Sequence, residues 1–393
     1  MANIAFLSDL FPAGGVERVT MNLAKPLVDM GHKVYLFVSY LNTEQLPKED
    51  LSIEYVKLPS TVHRQECYPH IVDVIKKHNI DVLISPAIYP RYMPQLYAEK
   101  LCKVVFVLHS CPFYEDKLRY NMIHNSTRRS LGYLFENWFI SYPKFKLGYY
   151  HRRALKRYKT IYNNCDAFGV LFDDYGKQIA RALGVESHSS KIVTLINPTE
   201  PQATEGVEGV EREKIVAYIG RLSTHDKRVD RLLKVWHKIY DKHPDWRLWI
   251  VGSGEAQSAL ERYVADNNLP RVEFLGFLSE VDDIYKKSSI VCLTSDFEGC
   301  PMVLLEAQNW GCATIAFDCS SGVREILSPN MVNGVYVKNG DIDGYAEALS
   351  RLMGDDELRG LIQRQGIENI KRFYPEVTAG AYNALIERLL SEK

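Results

Sequence analysis

The chain has 393 residues, 46% hydrophobic and 25% charged, enough for two domains with separate cores. Its formal net charge of −1 excludes a global field that would attract nucleic acid. Eight cysteines without a C-x-x-C pair read as reduced thiols of a cytoplasmic protein, no basic leader opens the chain, and no apolar run approaches the ~20 residues of a membrane span.

Strands and helices are expected to alternate. A strand over 4–8, a turn holding Gly14 and Gly15, a helix over 19–30 and a strand over 33–40 open a doubly wound sheet. Gly14 and Gly15 fit either a close backbone approach to a ligand or a plain turn. Strands at 53–58, 81–85 and 103–109 and a helix at 69–78 follow, and His109 stands at a carboxyl strand end, where open α/β sheets bind ligands. Residues 113–159 break the alternation. Arg119, Arg128, Arg129, Lys144, Lys146, Arg152, Arg153, Lys156, Arg157 and Lys159 mix there with aromatics such as Phe135, Trp138 and Phe139. Two readings fit: a basic aromatic insertion for an anionic membrane surface or lipid-linked acceptor, or a solvated helical insertion with its aromatics in the core. A strand at 167–172, a helix at 175–183 and a strand at 191–196 reach Asn197-Pro198.

The Gly- and Glu-rich stretch 199–213 reads as a linker. A second sheet is expected from strands at 214–220, 247–251, 272–276, 289–293, 313–317 and 334–337. Helices at 229–242, 255–267, 281–287, 302–311, 343–353 and 356–373 separate and follow them, a helical turn fills 323–327, and a last helix covers 378–390. Gly220-Arg221 and Lys227-Arg228, between a strand and a helix, suit a diphosphate, since Arg offers a fork and Lys a point charge. Thr294 to Glu306 runs from a buried strand through Glu298-Gly299-Cys300-Pro301 into a helix whose amino end, with the N–H groups of Met302 and Val303, favours an anion. Glu298 and Glu306 beside it would accept from sugar and ribose hydroxyls. Asp341-Ile342-Asp343 fits a metal-binding D-x-D pattern, but its place before a helix favours capping.

The stretch Glu298-Gly299-Cys300-Pro301-Met302-Val303-Leu304-Leu305-Glu306-Ala307 resembles the signature of the retaining glycosyltransferases of family four, and the loop Gly14-Gly15-Val16-Glu17-Arg18 is similar to that family's amino-terminal glycine loop. The resemblance implies a GT-B fold, α/β, with two doubly wound Rossmann-like domains facing across a cleft. Residues 1–198 would form the acceptor-side domain, 214–375 the donor domain, and 376–393 a helix packing back on the first. It implies phosphate binding by Arg221 and Lys227, with Arg228 as the alternative to Lys227. Gly276-Phe277-Leu278 would frame the base, and His109, Gly14 and Gly15 would lie on the transferred sugar's side. The donor would be a nucleoside-diphosphate sugar, with UDP as the expected nucleotide, and the acceptor a glycan or lipid-linked hydroxyl in polysaccharide assembly. No metal or other cofactor is expected. A nucleotide-sugar epimerase, or a non-catalytic binder of nucleotide sugars, is the alternative.

Overall fold

Near-continuous buried runs form most strands of both sheets of the computed structural model, which describes residues 1–12, 15–43, 46, 53–125, 131–186, 189–201 and 212–392. The chain divides into two units: Met1–Pro112 with Arg153–Glu200 and Arg372–Lys393, and Phe113–Arg152 with Pro201–Lys371. Gly14, Arg128, Arg129 and most of the expected linker lie outside the described residues.

The first unit holds β1 (Asn3–Phe11), β2 (Lys33–Leu41), β3 (Ile53–Lys57), β4 (Val82–Pro86), β5 (Lys103–Leu108), β6 (Ala167–Val170) and β7 (Ile192–Thr194). All pair in parallel, in the order β3-β2-β1-β4-β5-β6-β7. The order reverses between β1 and β4, where Ile4 sits in register with Val34 on one side and Val82 on the other. The helix Gly15–Asp29 buries Val19, Leu23 and Leu27, positions on one helical stripe, against Ala379, Tyr382, Leu385, Ile386 and Leu389 of the helix Pro375–Ser391.

The second unit holds β8 (Glu213–Ile219), β9 (Arg247–Val251), β10 (Val272–Gly276), β11 (Ser288–Leu293), β12 (Ala313–Asp318) and β13 (Val335–Lys338), in the parallel order β10-β9-β8-β11-β12-β13. Its strands are buried on both faces. Val216 and Tyr218 of β8 enter one apolar core while Ile215 and Ala217 enter the other, as a two-residue period requires. The first of these cores is closed by the helix Val229–Ile239, which turns Val229, Leu232, Leu233, Trp236 and Ile239 inward. Here the order reverses between β8 and β11, so the loops after these two strands flank the place where open α/β sheets take ligands.

Several expectations are corrected. Gly15 opens the helix Gly15–Asp29 rather than sitting in the loop before it. His109 stands one residue past β5. The helix that starts at Met302 ends at Asn309 rather than at 311, and Pro301 is its N-cap, with an extended ψ of 91°. The last helix begins at Pro375, where a proline's missing N–H is no loss. Residues 113–152, early in sequence, cluster with the second unit. They form the helix Tyr114–His124, a short helix Leu131–Phe135, a π-helical turn Glu136–Ser141, the helix Tyr142–Lys146 and the start of the helix Tyr149–Asn163.

Candidate functional site

The loops after β8 and β11 are stitched together by their backbones. The Asp296 N–H donates to the Asp226 carbonyl at 2.8 Å, and the Thr294 hydroxyl to the Lys227 carbonyl at 3.1 Å. These bonds bring the expected charged residues side by side. Lys227 Nζ donates to Glu298 Oε1 at 2.7 Å, and the Ser295 hydroxyl donates to the same oxygen at 2.6 Å. Arg221 Nη2 meets Asp226 Oδ2 at 2.5 Å, and the buried Tyr218 hydroxyl donates to the Arg221 carbonyl at 2.9 Å. Burial opposes the charge on Lys227. The Glu298 carboxylate, by charge and hydrogen bond, and then Asp226 outweigh it and hold the ammonium above the usual lysine value. Lys227 is thus a charged group at neutral pH, poised against an acid.

Arg228 is engaged differently. Its guanidinium binds Asp230 at 2.9 Å and Asp296 Oδ2 at 2.8 Å, while Arg231 takes Asp296 Oδ1 at 2.6 Å. Burial and the charge of Arg228 hold Arg231 below the usual arginine value, against the pull of Asp296 and Asp230. Asp296 also accepts from Asn121 Nδ2 at 2.8 Å, and the same nitrogen lies 2.7 Å from the His225 carbonyl. This carboxylate therefore joins two cations to the helix Tyr114–His124. Replacing it by alanine leaves two largely buried guanidinium groups facing one another. Asp296→Ala is expected to cost about 3 kcal/mol, read in urea unfolding.

Beside Arg221 lies a cavity of about 370 Å³ lined by Ile219, Gly220, Arg221, Val251, Gly252, Ser253, Phe277, Leu278 and Val281. Of the expected donor residues, Gly220, Arg221 and Phe277 line it, and the Phe277 ring is 74% exposed. The walls are held by backbone bonds between loops: Gly220 N–H to the Val251 carbonyl at 3.0 Å, Leu222 N–H to the Ser253 carbonyl at 2.9 Å, and Gly252 N–H to the Gly276 carbonyl at 2.7 Å. Glu306, in the second turn of Met302–Asn309, accepts from the buried Tyr285 hydroxyl at 2.7 Å. Burial and the Glu298 charge push the Cys300 thiol up, so it stays protonated. Pro301 is buried and Met302 and Val303 are half-buried at this helix start.

In the first unit, His109 Nδ1 lies 3.0 Å from Asn197 Oδ1. Burial lowers the His109 pKa to about 4, against the Asn197 bond, so the ring is neutral at neutral pH. A small cavity of about 80 Å³ lies where the order of the first sheet reverses, lined by Leu7, Ser8, Val16, Glu17, Thr20, Pro86, Ala87 and Ile88. Gly15 is adjacent in sequence to Val16 but does not line it.

A family model described as glycosyl transferases group 1 matches residues 202–369, and one described as glycosyltransferase family 4 matches residues 13–202. The chain belongs to glycosyltransferase family 4. An uncharacterized glycosyltransferase of Haemophilus influenzae is 26% identical over 360 residues, 90% of either chain. The lipopolysaccharide 1,6-galactosyltransferase of Escherichia coli is 32% identical over 224 residues, 55% of this chain and 59% of that protein. In fold, the chain is similar to Anabaena HepE in complex with UDP, with a TM-score of 0.71 at 17% identity over the whole of both chains. Sucrose-phosphate synthase from Thermosynechococcus elongatus gives 0.73 at 18% identity, also over the whole of both. The fold is GT-B.

Two features of this family 4 enzyme escaped sequence reasoning. Gly252 and Ser253 form cavity wall, and the pair of glycines ending β9, Gly252 and Gly254, was their available signal. Asp296 was hidden because it acts by tying loops rather than by a motif. The D-x-D pattern resolves into structure: Asp341 Oδ1 caps its helix by accepting from the Gly344 N–H at 2.9 Å, and Asp343 pairs with Lys238 at 2.9 Å.

Proposed function

We propose that the enzyme transfers a sugar, with retention, from a UDP-sugar to a hydroxyl of a glycan or lipid-linked acceptor in polysaccharide assembly. The observation that carries this reading is the gathering of Arg221, Lys227 and Glu298 where the order of the second sheet reverses, next to the cavity under Phe277. Arg221 and Lys227 would stabilise charge growing on the leaving diphosphate, with the helix start at Met302 and Val303 adding its field. Before the donor arrives, each cation is held by a carboxylate, Asp226 and Glu298. Donor phosphate oxygens would take over those cations, freeing Glu298 to accept from hydroxyls of the transferred sugar. Glu306, oriented by Tyr285, would accept from the ribose.

The bond from the anomeric carbon to the phosphate oxygen breaks as the acceptor oxygen bonds to that carbon. The acceptor's proton passes to the departing phosphate on the same face. The two cations supply the charge compensation, so the reading needs no metal or other cofactor. As the family resemblance implies, Gly14, Gly15 and the neutral His109 would contact the transferred sugar. UDP in a structure of similar fold and an acceptor named as lipopolysaccharide in a relative support the choice of donor and acceptor. The eight free cysteines support a cytoplasmic enzyme.

Thermal melting with UDP, GDP, ADP and their sugars tests the donor half, because a ligand that binds the folded state raises its stability. UDP is expected to raise the midpoint of the wild type and not of Arg221→Ala. A shift with GDP or ADP alone, or none with any nucleotide, sinks the assignment.

A further inference from the structure

We infer that residues 131–152 form a docking surface for an anionic lipid bilayer. The patterning of this segment is inverted for water. In the turn Glu136–Ser141 the polar Asn137 and Ser141 are 4% and 3% exposed, while Phe135, Trp138, Phe139 and Ile140 are 60%, 49%, 69% and 43% exposed. Leu147 and Tyr149 extend the apolar surface at 70% and 44%. Single exposed apolar residues are ordinary, but six within one short segment are not. Asn137 and Ser141, four residues apart, share the inward side of the turn, which leaves Trp138, Phe139 and Ile140 between them to face outward.

The rings are arranged rather than loose. Phe135 and Phe139 stack at 4.9 Å, and Trp138 lies 5.4 Å from Tyr142. Cations border them: Lys144 Nζ is 5.7 Å from the Tyr149 ring centre and Lys146 Nζ 5.5 Å from that of Tyr142. Glu136 is the one acid between residues 131 and 152, against Lys144, Lys146 and Arg152. Aromatic residues beside lysines and arginines suit the headgroup boundary of a bilayer with negative lipids. A second copy meeting this face through a twofold axis would set Lys144 and Lys146 against their own like charges, which argues for lipid over self-association. Among the described residues no helix is long and apolar enough to cross a membrane, so the contact is interfacial.

The segment reaches the charged loops through the helix Tyr114–His124. Tyr133 donates to the Met122 carbonyl at 3.0 Å, Lys117 to the Cys319 carbonyl at 3.0 Å, and Asn121 to His225 and Asp296. A bilayer holding residues 131–152 would therefore hold the Lys227–Glu298 loops near its surface. The inference stands without the transfer reaction, and its test needs neither donor nor acceptor.

The test uses the full chain and vesicles of phosphatidylcholine, with or without about a third phosphatidylglycerol. Trp138 is the exposed tryptophan, since Trp236, Trp246, Trp249 and Trp310 are each 8% exposed or less, so quenching by brominated lipid reports its insertion. Binding should require phosphatidylglycerol, weaken with salt and quench Trp138. The pair Phe135→Ser and Phe139→Ser should bind about ten-fold more weakly with an unchanged melting midpoint, and Lys144→Glu with Lys146→Glu should lose the preference for anionic lipid. Trp138→Ser is the second variant should the serine pair fail to fold, and it too should bind vesicles more weakly, read by co-sedimentation. Equal binding to both vesicle types, no quenching, or undiminished binding by the variants overturns the inference. So does a serine pair that changes the protein's mass in solution but not its vesicle binding, which would assign the face to a second copy.

Discussion

Arg221→Ala should lower sugar transfer by about 10²-fold, and Lys227→Ala by about 10³-fold, values typical of removing one preorganised stabiliser of transition-state charge. The two differ because their surroundings differ. Arg221 is 61% exposed at its side chain and Lys227 26%, so water screens the first more than the second. The melting midpoint of Arg221→Ala should stay within about a degree of wild type, because exposed ion pairs contribute little. Lys227→Ala also removes the charged donor to Glu298 and leaves the Ser295 hydroxyl on that oxygen, so it should cost some stability. Lys227→Arg separates charge from shape: it keeps the cation and should recover part of the rate without restoring it, because a guanidinium does not place its charge where an ammonium does. Initial rates with a UDP-sugar, alongside melting curves, read all three. Near-wild-type transfer by both alanine variants would remove the phosphate role from this loop.

The readable parts of the fold were those with local causes. Apolar runs such as 290–293 and 248–251 read as buried strands of a parallel sheet, and the alternation of strand and helix implied two such sheets. The charged pair Lys227 and Glu298 was legible as two separate loop positions, and the structure brings them to 2.7 Å. Asp296 was not legible. Its value comes from Arg228, Arg231 and Asn121, which sequence separates by up to 175 positions. The grouping of residues 113–152 with the second unit was equally hidden, since no periodicity says which core a helix joins. The exposed rings of Phe135 and Phe139 make the same point in reverse: composition noted the aromatics, and only the fold shows that Asn137 took the inside position.

Gly252→Ala should do more damage than any surface charge change, because it acts on the frame of the cavity. Gly252 has φ of +131°, and a Cβ placed on it would stand 2.0 Å from the Gly220 carbonyl oxygen and 2.9 Å from its carbon. Both neighbours are backbone, so no side chain can swing aside. The Gly220 loop is pinned by its own bond to Val251 and Gly252 by its bond to Gly276. The loop carrying Arg221 must therefore move off β9, or the strand end must give up its bonds. Strained φ together with the displaced backbone is expected to cost about 3 kcal/mol, or about 6–12 °C in midpoint for a unit of this size. Gly276→Ala supplies the contrast. Its φ is +70°, but nothing lies within 4 Å of the added carbon, so the strain comes without a collision. That variant should lose about 1 kcal/mol and keep UDP binding. If instead the two alanine variants melt alike and both still bind UDP, the close approach of Gly220 and Gly252 is not what shapes the site.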